Sequence, residues 1–261
     1  MVLQRIRAAF QKLLLFLGLK VVRAQTVDEK KISVRSKKVP RLECQRVDEA
    51  LRQYVQDAEC LINEEHYRSF QQVRGYLSDQ RMAEQRALID IAVDLGVTFE
   101  KKRVLDVGCG LGYLLGYIDS IANPAELIGY DPSAKTILCG PKLCAAGRFE
   151  NRILSSDEKI SGDVIFLTQV LEHLESPHEM LHLLKSKLAK PGVMVLSVPN
   201  GRNDGLECGR YLPDRGAYTG HINFWSHNSF KSFIQKSLPY CDVEVKVLDL
   251  FQLVAVVKIY E

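Results

Sequence analysis

The chain has 261 residues, with 35 Lys and Arg against 32 Asp and Glu, and 46% of its residues are hydrophobic. That is the composition of an ordinary globular protein with enough apolar material for a full core, so collagen-like, coiled-coil and wholly disordered chains are excluded. A net charge of +3 is too mild to point to a nucleic-acid partner. The seven cysteines form no Cys-x-x-Cys pair. Zinc-ribbon and thioredoxin-type chemistry therefore has no support, and reduced thiols in a cytoplasmic protein are expected.

Residues 1–24 carry Arg5, Arg7, Lys12, Lys20 and Arg23, and the first acid is Asp28. Leu3, Ile6, Phe10, Leu13, Leu14 and Leu17 recur at helical spacing, which predicts a basic amphipathic helix. Such a helix suits an anionic membrane surface, and suits equally the protein's own body or a second subunit. The run Leu13 to Leu17 is too short to span a bilayer. A secretory signal would need a better cleavage site than Val22 to Gln25, and a mitochondrial presequence would usually contain Ser, which is absent. Residues 25–46 read as a polar linker.

Residues 47–98 read as a helical subdomain. Leu51, Tyr54, Val55, Ala58 and Leu61 make one apolar stripe, and Tyr76, Met82, Ala87, Leu88, Ile91 and Leu95 make another. Gly96 is the expected C-cap. From residue 99 to 261 the texture alternates. Strands are expected at 103–107, 127–130, 164–167, 193–198, 243–250 and 253–260, with helices at 113–122, 134–146 and 177–188. Alternation of this kind predicts a parallel sheet with helices on both faces. Only Phe251 and Gln252 separate the last two strands, which predicts an antiparallel hairpin at one edge.

The most informative stretch is Val104-Leu105-Asp106-Val107-Gly108-Cys109-Gly110-Leu111-Gly112-Tyr113. An apolar strand runs into three alternating glycines and then a helix, so the backbone can turn sharply and approach a ligand. Tyr113 stands where the dinucleotide fingerprint has its third Gly, and no Gly-Lys-Ser/Thr follows, so neither a dinucleotide loop nor a Walker loop is indicated. The second strand ends at Asp131, about 20 residues past the loop. An acid there suits two ribose hydroxyls; as a helix N-cap shared with Ser133 it would have a local role instead.

These residues resemble the class I S-adenosylmethionine-dependent methyltransferases. Asp106-Val107-Gly108-Cys109-Gly110-Leu111-Gly112 is similar to their first motif, and Gly129-Tyr130-Asp131-Pro132-Ser133 to their ribose-binding motif. Asp163 to Leu174, with Glu172-His173 near its end, resembles their fourth-strand signature. Leu188 to Asn200 resembles their strand-five segment ending in Pro-Asn. The resemblance covers about residues 100–200. It implies a Rossmann-like α/β fold: a seven-stranded, mostly parallel sheet with an antiparallel last strand and a helical N-terminal extension. It implies S-adenosyl-L-methionine as cofactor, with Asp106 leading the motif, Gly108, Cys109, Gly110 and Gly112 near the methionine part, and Asp131 with Pro132 at the ribose. It also places Ser156 and Asp157 near the adenine and Gln169 toward the methyl group.

A hydroxyl acceptor needs a base, and histidine serves near neutral pH. His221, in the Gly220-His221-Ile222-Asn223-Phe224-Trp225-Ser226 stretch after strand five, is the candidate base; a His that merely pins the loop is the competing reading. The stretch resembles small-molecule and glycan methyltransferases, and a similarly placed His occurs in quinone O-methyltransferases. Glu172 and His173 suit either a metal, as in some metal-assisted relatives, or a packed capping pair, and no metal is assigned. His178 and His182 read as a polar helix face. Trp225, Phe224 and Tyr211 suit either an acceptor pocket or loop packing, while Tyr54, His66 and Tyr67 suit a lid by analogy alone. No Asn/Asp-Pro-Pro-Tyr or Pro-Cys follows strand four, which argues against base methylation in nucleic acids. The expected acceptor is a hydroxyl on a small molecule, sugar or lipid-linked glycan. The alternatives are a membrane-associated quinone-type ring O-methyltransferase and a catalytically silent cofactor-binding partner protein. The expected location is cytoplasmic, peripheral at a membrane if residues 1–24 dock there.

Overall fold

A computed structural model describes residues 79–133, 140–201, 221–248 and 252–260. The expectations for residues 1–24, the linker, the first helical stripe and Tyr54, His66, Tyr67 and Tyr211 lie outside them. Helix α1 spans Asp79–Asp94. Then follow β1 (Arg103–Val107), α2 (Tyr113–Ile121), β2 (Glu126–Tyr130), β3 (Arg148–Glu150) and β4 (Gly162–Thr168). A 3-10 turn at Leu171–His173 leads to α3 (Pro177–Lys187), β5 (Leu188–Pro199), α4 (His227–Ser237), β6 (Asp242–Val247) and β7 (Gln252–Ile259).

The seven strands form one sheet in the order β3-β2-β1-β4-β5-β7-β6. β1 to β5 are mutually parallel, and β7 lies antiparallel between β5 and β6. The expected hairpin is therefore real, with its second strand inserted into the sheet. Chain order reverses between β1 and β4, which opens a crevice at the carboxyl ends of these two strands.

The strands read as near-continuous apolar runs because both faces are covered. Leu105, Ile165, Leu196 and Ala255 point to one side, where Leu181 and Leu184 of α3 and Phe230 and Ile234 of α4 pack. Their neighbours Val104, Phe166, Val195 and Val256 point to the other, against Leu88, Ile89 and Ala92 of α1 and Leu115 and Ile118 of α2. The second predicted stripe is only partly the buried one: Met82 and Leu88 are buried, with Ile89 and Ala92 beside them. Gly96 adopts φ +86° just past α1, and its N–H donates to Val93 O at 2.9 Å, as a C-cap glycine does.

Two elements were not expected. β3 is three residues long with Phe149 as its one apolar residue, too little for a periodicity to show. α4 occupies a region read as loop to Asn228, followed by no helix. Its start is a capping box in which Ser226 N–H donates to Ser229 Oγ at 2.8 Å and Ser229 N–H donates to Ser226 Oγ. The box consists of two serines, so the usual Glu or Gln at the third position is missing as a signal.

Phe230 is fully buried under the sheet. Phe230→Ala is expected to lower the unfolding free energy by about 3–5 kcal/mol, read from chemical denaturation. A loss well under 1 kcal/mol would mean that α4 does not pack where it is placed.

Candidate active site

The glycine loop is held by the end of β2. Gly108 and Cys109 N–H both donate to Tyr130 O, at 2.7 and 3.1 Å. Gly110 N–H donates to Asp131 Oδ2 at 2.9 Å, and Ser133 N–H to Asp131 Oδ1 at 2.8 Å. Asp131 thus organises the turn after β2 and fastens the loop as well; the start expected for the helix it would cap falls on residues 134–139, outside the described residues. Each carboxylate oxygen keeps a second lone pair, so ribose hydroxyls remain compatible with this role.

Gly108, Gly110 and Gly112 all take left-handed φ values, +78°, +54° and +80°. Their surroundings differ. A Cβ on Gly108 would stand 2.4 Å from Val170 Cγ2, and one on Gly112 would stand 2.5 Å from the Phe149 ring, whereas one on Gly110 would meet nothing within 4 Å. The loop therefore leans on the exits of β3 and β4 at its two ends and opens toward the crevice at its middle. Cys109 contributes backbone only. It is buried, and its Sγ lies over Gly129. Pro132 is exposed beside Asp131.

Helix α2 starts at Gly112 with no side-chain cap and no acid in its first turn. Its leading N–H groups suit a ligand carboxylate. Asp106, the last buried acid of β1, is 1% exposed, and its Oδ1 has no hydrogen-bond partner among the described residues. Burial, with the Asp131 charge adding to it, pushes its carboxyl up to about 8. An acceptor of this kind suits an ammonium donor. An uncapped helix N-terminus, a buried acid and a second acid after β2, set around an open glycine, are compatible with an amino-acid nucleoside such as S-adenosylmethionine.

Gln169 leaves β4 in a left-handed conformation, φ +56°. Its N–H donates to Ser197 O at 2.9 Å, and its Nε2 donates to Ser197 Oγ at 3.3 Å. The side chain is thus turned along β5. Ser156 and Asp157 are a correction. Ser156 O accepts from Lys187 Nζ at 2.6 Å, and Lys187 immediately precedes Leu188, which pairs with Gly162 at the start of β4. These two residues lie at the amino ends of β4 and β5, the edge opposite the glycine loop. The reason is the long excursion between β3 and β4, along which the sequence gives no landmark. Asn151, directly after β3, was overlooked: its Nδ2 donates to Asp131 O at 3.2 Å.

His221, His173 and Glu172 come together at the exit of β4. The two imidazole rings are 4.8 Å apart in an edge-on arrangement, and His173 Nε2 is 3.8 Å from Glu172 Oε1. Glu172 is fully buried. Backbone bonds register the two segments: Ile222 and Asn223 N–H both donate to Glu172 O, at 2.8 and 3.1 Å. The Asn223 amide donates to Leu171 O at 3.2 Å and Leu174 O at 2.6 Å. Asn223 is thus a positioning residue that sequence reading missed, although it stood two places from His221. Among the described residues Trp225 packs into the core rather than standing open to solvent. It is buried against Phe230 and Phe233, whereas Ile222 and Phe224 are exposed. His178 and His182 are exposed on α3 with rings 6.4 Å apart, as a polar helix face has them.

A doubly wound sheet with a glycine loop, an acid after its second strand and a buried acid in its first is the architecture of the S-adenosylmethionine-dependent methyltransferases. Residues 79–237 match a family model described as a methyltransferase domain, and the chain belongs to that family. It is similar to a tRNA U34 carboxymethyltransferase of Campylobacter jejuni, 36% identical over 102 residues, which are 37% of this chain and 35% of that one. It is also similar to a ubiquinone biosynthesis O-methyltransferase of Glaesserella parasuis, 27% identical over 113 residues, 38% of this chain and 46% of that one. The chain thus spans less than half the length of these relatives. Among solved structures, the plantazolicin methyltransferase BpumL, in complex with a monoazolic desmethylPZN analog and SAH, superposes with a TM-score of 0.55 at 16% identity, covering 84% of this chain and 98% of that one.

Unfolded, Asp106 titrates near the usual carboxyl value of about 3.9; folded, it titrates at about 8. Between these values the folded state keeps a proton that the unfolded state has lost, so this contribution to stability is full below about pH 4 and falls until about pH 8. In the ligand-free protein, the gain in thermal midpoint from Asp106→Asn should widen from pH 5 to pH 8. A gap that does not vary with pH would show that Asp106 does not titrate there.

Proposed function

We propose that the chain methylates a hydroxyl group on a small molecule, a sugar or a lipid-linked glycan, with His221 required for loss of the hydroxyl proton. The observation that carries this reading is the position of the His221 imidazole, backed by His173 and buried Glu172. That group stands past the exit of β4, whose Val170 touches the glycine loop at Gly108. S-adenosylmethionine supplies, when bound, a methyl group on a sulfonium, whose transfer removes positive charge. The chain's own work is to hold an acceptor oxygen behind that methyl and to take its proton. Exposed Ile222 and Phe224 flank His221's loop and offer an apolar surface to the body of the acceptor.

A quinone-type ring acceptor is the second reading, supported by the O-methyltransferase relative and by the basic amphipathic pattern of residues 1–24, which would hold the protein at a membrane. Among the described residues no helix is long and apolar enough to cross a membrane. Removing residues 1–24 should then move the protein from the membrane to the soluble fraction; unchanged partitioning would oppose a membrane role.

His221→Ala is expected to leave cofactor binding intact and to lower turnover by about 10²–10⁴-fold. Full turnover in the variant would end the assignment. The acceptor is found by incubating purified protein with methyl-labelled cofactor and fractionated cell extract. Label in the small aqueous or glycan fraction supports the first reading, and label in the organic phase supports the second or a lipid-linked glycan. Label in protein or RNA overturns both.

A further inference from the structure

We infer that Glu172, His173 and His221 form a divalent-cation site, and that the ion acidifies the acceptor hydroxyl. One ligand atom from each of the three lies within 4.8 Å of the other two. The set comes from two segments 48 residues apart in sequence, and its closeness follows from specific bonds. Glu172 and His173 sit in the 3-10 turn that ends β4, and the His221 segment is fastened to that turn by the N–H groups of Ile222 and Asn223 and the Asn223 amide. Fastening side chains through supporting bonds is how a fold holds a ligand set in place.

The donor set selects the ion class. One carboxylate and two imidazoles suit first-row divalent ions from Mn²⁺ to Zn²⁺, and two imidazoles disfavour the all-oxygen ions Mg²⁺ and Ca²⁺. Three protein ligands leave further positions for water or acceptor, as catalytic sites do. Ligand atoms around an ion at about 2.0–2.2 Å stand roughly 3–3.5 Å apart, so a trio within 4.8 Å must close by up to about 1.5 Å. The carboxylate is buried and fixed, whereas the His173 side chain is 40% exposed and His221 is half-buried; rotation of the two rings supplies the movement. The site faces the side where an acceptor must lie, with Ile222 and Phe224 exposed in the same loop.

The chemistry deepens the proposed function and its role in turnover rests on that reading. An ion at this place lowers the pKa of a hydroxyl brought against it. The proton passes to solvent, the oxygen forms the new C–O bond, and the C–S bond of the sulfonium breaks with its electron pair going to sulfur. His221 then acts by holding the ion, and deprotonation does not need its ring as the final proton carrier.

The test uses the full chain, stripped with a chelator, dialysed and titrated with Co²⁺ as a spectroscopic probe, with Zn²⁺, Mn²⁺ and Mg²⁺ as competitors. One equivalent of Co²⁺ is expected to bind with visible ligand-field bands, displaced by Zn²⁺ and barely by Mg²⁺. His173→Gln and His221→Gln should each weaken binding by at least ten-fold with folding unchanged by circular dichroism, and Glu172→Gln should do the same with the side-chain shape retained. Absence of stoichiometric binding, or binding unaltered in all three variants, overturns the site. If no ion binds but His221→Ala still abolishes methylation of a hydroxyl, the ion fails and the proposed function stands. If the ion binds as expected while label enters only protein or RNA, the site stands and the hydroxyl reading falls.

Discussion

Everything at the crevice depends on one backbone oxygen and the two oxygens of one carboxylate at the end of β2. Tyr130 O takes the N–H groups of Gly108 and Cys109, and the Asp131 carboxylate takes those of Gly110 and Ser133. A loop of three left-handed glycines has much conformational freedom to lose, and these bonds bind it to a strand that is itself paired on both sides. The open face at Gly110 lies two residues before the uncapped N-terminus of α2. The loop is a rigid cradle because β2 ends at that register and Asp131 follows it at once.

The same end of the sheet carries a second cluster with different physics. Around Asp106 the local medium is dry and negative, and it resists ionisation. Around Glu172 a buried carboxylate meets two imidazoles from opposite ends of a long chain segment. The first arrangement answers a cationic amino acid and the second answers a proton or a cation. β1 and β4 are adjacent and parallel, so their exits bring both environments to the same end of the sheet.

Much of this was legible beforehand, and for identifiable reasons. Val104 to Tyr113 announces strand, turn and helix through apolar run, alternating glycines and periodicity, all of them local. Asp131 stood out by its spacing, but its bonds to the loop at Gly110 and to Ser133 were visible only in three dimensions. Ser156 and Asp157 were misplaced because a long connection between strands carries no periodicity to say which edge of the sheet it follows; a buried lysine, Lys187, decides that through hydrogen bonds to Ser156 O and Glu158 O. Trp225 was ambiguous because an aromatic side chain suits a pocket and a core equally well, and only the packing of Phe230 and Phe233 resolves it.

By itself the sequence determined α1 to α3 and every strand but β3, the glycine loop and the class of ligand, since each rests on the chemistry of residues adjacent in the chain or at fixed short spacing. The tertiary structure decided that β7 enters between β5 and β6, that α4 covers one face, and that Glu172 and His173 meet His221. Those relations join residues far apart in sequence, and their partners are chosen by burial and by hydrogen-bond geometry in three dimensions, for which no short pattern of residues is a proxy.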